Sequence, residues 1–319
     1  LITIIVPNYN GEAHLKTLIP SLKKQTYKDY KLVLVDNGSD DGSAEYIKKR
    51  VPGSVILKMD KNYGFARAVN EGINFTLSTK DSEYILLLNN DIELKAGFLK
   101  KGLNAFKEEP DASIVAVKMM NYFKRDIIDD CGDFPKANGG SPVPRGHDEK
   151  DTGQYDTPEY VFGACAGAAF YKTEVFEKAG LFDEDFFAYY EDIDFSFRAQ
   201  FAGIKCFYQP GAVCYHKRGG TGTKSDYGFQ TEYCERNLVL MRFKNYPLSI
   251  YLLNQPLFFI ARIRRYWFFF RHVSPMVFLK ALKGYFRGIS LLPFQISKRR
   301  KIQSSRKVTV EYIKSLFIK

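Results

Sequence analysis

The first 120 residues alternate short apolar runs with stretches of helical periodicity, and this alternation restricts the fold more than any other feature of the chain. Runs at 2–6, 32–35, 55–57, 84–88 and 114–117 are rich in Ile, Val and Leu. Their lack of polar alternation predicts strands buried on both faces. Between them, 11–25, 41–50, 64–79 and 96–108 space their apolar residues as helices do. Strands and helices taken in turn give an α/β fold with a mainly parallel central sheet covered on both sides. Ligands of such sheets gather at the carboxyl ends of the strands. Three segments follow a strand directly: 7–10, 36–41 and 89–91.

Residues 121–160 are rich in Gly, Pro and Asp and read as one long connection, of the kind that is functional or mobile. A second mixed segment follows, with strands expected at 205–208 and 212–215. Its helix is marked by Ile193, Phe197 and Phe201 at four-residue spacing and is stopped by Gly203. Asp194 and Arg198 stand at helical pair spacing. Glu191 and Asp192 fall at the helix start, where the dipole favours negative charge. Taken alone, this acidic block reads as readily as a helix cap as it does a reactive site.

Pro247 marks a change to an aromatic and basic style. The net charge of +11 is very uneven: residues 262–319 hold fifteen Lys and Arg against Glu311 alone, and everything before them sums to −3. A tail so charged is expected to meet something anionic. The apolar stretch 248–260 is interrupted by Asn254, Gln255 and Pro256 and falls short of the ~20 residues a membrane span needs. Interleaved Arg and aromatic residues at 262–271 instead suit a helix lying in a membrane interface, with packing on the body as the alternative. The apolar start at 1–6 is too short for a secretory leader, and the five scattered cysteines form no CxxC pair, which fits a reducing cytosol.

Asp91 ends an apolar run, where a carboxylate can hold a hard divalent cation alongside the phosphate oxygens of a bound nucleotide, and Asn89 lies close by. An Asx-capped turn is the structural alternative. Asp36 leaves its strand before the Asn37-Gly38 turn, placed to accept the N3–H of a pyrimidine base. His216 follows another apolar run and precedes a basic, glycine-rich stretch, 217–224, able to wrap a diphosphate. That stretch is not a Walker A loop, which would require glycine at 218 and 223, and no GxGxxG follows a strand.

As an ordered set, these pieces resemble the family 2 glycosyltransferases of GT-A fold, especially the rhamnosyltransferase-like branch that builds bacterial cell-surface polysaccharide. The matching segments begin with Ile4-Ile-Val-Pro-Asn-Tyr-Asn10, Val35-Asp-Asn-Gly-Ser-Asp-Asp-Gly-Ser43, Asn62-Tyr-Gly-Phe-Ala-Arg-Ala-Val-Asn70 and Leu88-Asn-Asn-Asp91. They continue with Gly180-Leu-Phe-Asp-Glu-Asp-Phe-Phe187, Glu191-Asp-Ile-Asp-Phe-Ser-Phe-Arg198 and His216, so the resemblance spans about residues 2–240. It implies a single Rossmann-like nucleotide-sugar-binding domain over residues 1–246. Residues 247–319 are then a helical extension attaching to the membrane interface.

Roles follow from the same resemblance. Pro7, Asn8, Asn10, Asp36, Asn62, Arg67, Asn89, Asn90 and Asp91 would line the nucleotide-sugar pocket. Asp91 and His216 would hold Mn²⁺ or Mg²⁺, and Lys217 and Arg218 would grip the diphosphate. Asp192 would be the catalytic base of an inverting transfer, with Glu191 beside it. The family's DxD motif here reads Asn89-Asn90-Asp91, which leaves one carboxylate where the motif has two. The expected donor is dTDP-rhamnose, with a UDP-hexose as the alternative, and the expected acceptor is a saccharide or a lipid-linked one. The expected location is cytoplasmic, on the anionic inner face of the cell membrane, with no nucleic acid as partner. Two other classes compete: a non-catalytic binder of anionic lipid or nucleic acid, and a nucleotidyltransferase on a related sheet.

Overall fold

A computed structural model describes residues 1–218 and 226–318. The chain opens with β1 (Ile2–Asn8), α1 (Glu12–Lys23), β2 (Tyr30–Asp36), α2 (Ser43–Arg50), β3 (Val55–Lys58), α3 (Phe65–Thr79) and β4 (Tyr84–Leu88). It continues through β5 (Ile92–Leu94), α4 (Phe98–Glu108) and β6 (Ala112–Asn121). Short strands follow: β7 (Ile128–Asp130), β8 (Asp133–Phe134), β9 (Val143–Pro144), β10 (Glu159–Val161) and β11 (Ala168–Lys172). Then come α5 (Glu174–Ala179), a 3-10 turn (Glu184–Phe186), α6 (Glu191–Phe201) and β12 (Lys205–His216). The remainder is helical: α7 (Asp226–Asn245), α8 (Leu248–Leu253), α9 (Gln255–Phe268), a π turn (Phe269–Val273), α10 (Pro275–Ser304) and α11 (Val310–Ser315).

The main sheet runs β10-β12-β6-β11-β4-β1-β2-β3. Strands β1 to β4 are parallel; β11 runs against both β4 and β6, which brings β6 and its parallel neighbour β12 back into the common direction. Alternate residues of each strand enter opposite cores, as the pleat requires. Ile4, Leu34 and Leu86 pack with Leu18 and Leu22 of α1, whereas Ile5, Val33 and Leu87 pack with Val69 and Ile73 of α3. The expected α/β architecture is therefore present, and six strands deliver their carboxyl ends to one edge.

Two local expectations change. The strands expected at 205–208 and 212–215 are one strand, β12, whose partner register jumps from Gln209↔Val117 to Val213↔Lys118. Pro210 and Gly211 occupy that irregularity, where a missing N–H does no harm to the ladder. The 121–160 connection is not structureless either: it carries β7, which adds to β6, and the β8–β9 hairpin.

A third core joins α6 to the C-terminal helices through Phe197, Phe201, Tyr246, Phe258 and Ile302. The basic tail does not spend all its charge outward. Lys280, Lys283 and Arg287 surround Glu232, Arg265 meets Glu235, and Lys298 meets Asp183 and Asp185. Among the described residues no helix is long and apolar enough to cross a membrane.

Candidate active site

The carboxyl ends of β1 and β2 put Asn8 and Asp36 side by side as register partners, both buried. Asn8 Oδ1 accepts a hydrogen bond from Asn90 Nδ2 at 2.8 Å, which ties β1 to the turn after β4. Gly11 lies against this pair: a Cβ there would sit 2.1 Å from Asn90 Nδ2 and 2.3 Å from Asn8 Oδ1. Pro7 is the β1 residue before Asn8. Asn10, at φ 47°, accepts from the Asp40 amide, and Asp36 accepts from the Ser39 amide. Asn37 carries the architecture one loop further, donating to Asn62 Oδ1 and to the Gly64 carbonyl. Arg67 is held outward over the Tyr63 ring at 4.0 Å. Asn89, whose amide donates to the Gly167 carbonyl, completes the edge.

Asp91 sits 8% exposed at the tip of β4, and its Oδ1 is buried without a hydrogen-bond partner. The pairing of β5 with β12 brings His216 opposite Ile92, and His216 Nε2 comes 3.4 Å from Asp91 Oδ1. The other ring nitrogen, Nδ1, lies 2.7 Å from Asp129 Oδ2. Burial pulls the His216 pKa down, but the two carboxylates outweigh it and raise it to about 9. Burial likewise pushes Asp91 up and is outweighed by His216, leaving that carboxyl below its usual range. Lys217 donates from its amide to the Asp91 carbonyl and from Nζ to Thr17 Oγ1, while Arg218 Nε lies 2.7 Å from Asp129 Oδ1. The rest of the glycine-rich stretch, 219–224, lies outside the described residues.

The start of α6 adjoins this region, where Asp192 accepts from the Ala166 amide and feels the charge of Arg218. The approach to it is strained: Phe187, Tyr189 and Tyr190 have φ of 63°, 72° and 67°, conformations that side-chain-bearing residues adopt at a cost. Asn237 of α7 holds this segment by donating Nδ2 to the carbonyls of Phe186, Ala188 and Tyr189 at 3.0, 2.7 and 2.7 Å. Phe187 in turn presses on Gly64, whose φ of +87° and missing Cβ admit the ring. Glu191 is buried with Oε2 unpartnered; burial first, and the charge of Asp192 second, push it well above the usual carboxyl range. Burial also raises Asp192, against hydrogen bonds from the amides of Ile193 and Ala166. Asp194 has a different task, being fully buried between Arg198, Lys244 and Asn245. Phe186 is core, at 0% exposure.

The geometry is that of a sheet edge lined with buried polar side chains, adjoined by two carboxylates at the start of a helix. Residues 3–180 match the family described as Glycosyl transferase family 2. This chain is a family 2 glycosyltransferase. It is 25% identical over 245 residues to the N-acetylglucosaminyl-diphospho-decaprenol L-rhamnosyltransferase of Mycobacterium tuberculosis, covering 70% of this chain and 78% of that one. Its fold is similar to that of S. aureus TarS 1–349, with TM-score 0.56 at 16% identity over 98% of this chain and 91% of the other. A mannosyltransferase from Pyrobaculum calidifontis, PcManGT in complex with GDP-Man and Mn²⁺, matches at TM-score 0.55 and 15% identity over 95% and 85% of the two chains. The fold is thus GT-A.

Several buried or half-buried titratable residues around these positions escaped the sequence. Asp129 orients His216, and Asp130 and Asp133 are buried nearby, each with an unpartnered Oδ2. Burial raises Asp130 to about 7 and Asp133 well above its ordinary range, and the charge of Asp192 adds to both. All three lie in the segment read as a connection; the available signal was an acidic run beside the apolar pair Ile127-Ile128. His14 of α1 is another, close enough to feel Asp91 and lowered chiefly by burial.

Proposed function

We propose that this enzyme transfers a sugar from a nucleoside diphosphate donor to a saccharide or lipid-linked acceptor with inversion, Asp192 acting as base. The observation that carries it is that Asp192, at the start of α6, accepts from the Ala166 amide while the next carbonyl, of Gly167, accepts from Asn89, which ties that carboxylate to the sheet edge bearing Asp36, Asp91 and His216. Asp192 takes the acceptor hydroxyl's proton as that oxygen bonds to the anomeric carbon; the bond from that carbon to the diphosphate breaks, and nucleoside diphosphate leaves. A carboxylate whose pKa is raised is, once ionised, a better proton acceptor than an ordinary one. Residues 1–246 form the catalytic unit in this proposal.

Asp91, with its orphaned Oδ1, and His216 form a donor set suited to Mn²⁺ or Mg²⁺. Among the described residues no three His, Cys, Asp or Glu side chains converge as a metal site. Two protein ligands are enough where diphosphate oxygens and water supply the rest. Such an ion, when bound, neutralises charge on the departing diphosphate. His216 must give up its Nε2 proton to take part. The mycobacterial relative's name favours a rhamnose donor and a diphosphate-lipid acceptor here, with a UDP-hexose as the alternative donor.

A second element concerns attachment. On α9 and α10, Phe259, Trp267, Met276, Leu279, Phe286 and Phe294 are each more than 60% exposed, among basic side chains. Large apolar groups set in a basic helical surface favour an anionic bilayer, at the inner face of the membrane. Co-sedimentation with anionic vesicles tests this: Trp267→Ser with Phe294→Ser should release the protein, and unchanged partitioning overturns it.

The decisive test of the chemistry is Asp192→Asn. Release of nucleoside diphosphate from a panel of nucleotide sugars with Mn²⁺ or Mg²⁺ should fall by 10²–10⁴-fold, with nucleotide affinity retained. Normal turnover in that variant would sink the assignment.

A further inference from the structure

Between the turn at 139–141, α7 and α9 lies a cavity of about 150 Å³ lined by three arginines, Arg242, Arg262 and Arg265. One carboxylate answers them. Glu235 lies 2.8 Å from Arg265 Nη2 and also accepts from the Tyr266 hydroxyl. Arg242 is 4% exposed and gives Nη2 to the carbonyls of Gly139 and Gly140 at 2.7 and 2.8 Å. Arg262 lies over the Tyr285 ring at 3.7 Å. Among the described residues neither Arg242 nor Arg262 has a carboxylate partner, and the Nε of all three arginines is buried without a hydrogen bond.

Buried cations without counter-charge destabilise a fold. Burial pushes Arg242 down to about 10, and the charges of Arg265 and Arg262 add to the push. Guanidinium forks match phosphate oxygens two bonds at a time, which makes clustered arginines a preformed oxyanion site. Ser141, whose Oγ accepts from Arg265, adds a hydroxyl to the wall. The cavity also neighbours the reactive helix: Tyr190, which directly precedes Glu191 and Asp192, interacts with both Ser141 and Arg265.

We propose that Arg242, Arg262 and Arg265 bind a phosphate or diphosphate ester, which in the enzyme inferred above, and resting on that inference, is the anionic link of a lipid-linked acceptor. The arginines hold the acceptor's phosphate end while its sugar hydroxyl reaches Asp192. The same oxyanion chemistry could come from a phospholipid headgroup, and the two sources separate by experiment.

The full chain, saturated with nucleoside diphosphate so that the donor site is filled, is titrated with inorganic pyrophosphate by calorimetry. Arg262→Gln, on the half-buried side of the cluster, is the first variant. Arg242→Gln is the second, with a thermal melt to show that it is folded. Pyrophosphate should bind the wild type at least tenfold more tightly than either folded variant; equal affinity overturns the site. Two further readouts name the source. A tenfold or greater rise in KM for a diphosphate-lipid-linked sugar, with KM for the phosphate-free sugar unchanged, supports the acceptor. Weaker binding to phosphatidylglycerol vesicles at unchanged acceptor KM overturns the acceptor and gives the site to a headgroup. Pyrophosphate binding needs no turnover, so a wild type inactive with every donor would fail the transferase proposal without touching the arginine site.

Discussion

Asp129 Oδ2 lies 2.7 Å from His216 Nδ1, and this contact sets the direction in which the imidazole presents Nε2 to Asp91. A partner on the second ring nitrogen fixes orientation and tautomer, and its loss typically costs 10–100-fold in metal affinity. Asp129→Asn is therefore expected to raise the Mn²⁺ concentration for half-maximal nucleoside diphosphate release by about 10–100-fold. The pH dependence has a definite sign. His216 titrates near 9 without metal, against an ordinary 6.5, so its ion pairs stabilise fully below that ordinary value and are lost as pH rises through about 9. Because metal competes with the Nε2 proton, the wild type should need less Mn²⁺ as pH rises from 7 toward 9. A flat Mn²⁺ requirement over that range would exclude His216 as a ligand.

Glu191 and Asp192 are adjacent, and in the proposed mechanism only Asp192 acts as base. Burial and the charge of Asp192 push Glu191 up, and its Oε2 has no hydrogen-bond partner, whereas two amides donate to Asp192 and support its carboxylate form. A base must be deprotonated, so kcat should climb with pH through the raised pKa of Asp192, giving an acid limb above the ordinary carboxylate value of 3.8. Glu191→Gln imitates the neutral acid and should keep kcat within about threefold, a loss of well under 1.4 kcal/mol. A pH–rate profile of the two proteins checks both statements.

Asn237 is the fastening of the strained approach to α6. Three carbonyls of residues 186–189 converge on its Nδ2, and Asn237→Ala leaves them without that donor. The expected cost is about 1–3 kcal/mol of stability by urea unfolding. The more telling readout is kcat, which should fall while donor KM holds, since Asp192 loses its placement and the sheet edge does not.

Much of this was legible from residue order. Strand tips announce themselves because an apolar run ends abruptly in a polar group, which is how Asn8, Asp36 and Asp91 stand out. What periodicity cannot show is which loop folds back onto those tips. Asp129 and Asp130 belong to a three-residue strand that exists only by pairing with β6, so nothing local marks it. Asn237 is equally silent, one polar position in an ordinary helix until α7 is laid against the 186–189 segment. The charge of the tail was visible as a total, but its division between Glu232, Glu235, Asp183 and an outer surface depends on helix packing.

Lys244 tests whether that packing holds the acidic block together. It is 1% exposed, with Nζ 2.7 Å from Asp194 Oδ1 and in contact with Asp183. Lys244→Met leaves the buried Asp194 and the half-buried Asp183 short of a counter-charge, which should cost about 3–5 kcal/mol at pH 7. Lys298, 2.6 Å from Asp183, and Arg198, 3.0 Å from Asp194, keep the loss from being larger. Burial pushes Asp183 up, but Lys244 and Lys298 outweigh it and hold the carboxyl well below its ordinary 3.8. A depressed carboxyl contributes stability that is present above its ordinary pKa and lost as pH falls through the folded one. Removing Lys244 raises that folded pKa, so the variant gives up less on acidification than the wild type does. The stability gap between the two should therefore narrow between pH 7 and pH 3 in urea titrations, and a gap that stays constant would mean the lysine acts by packing alone.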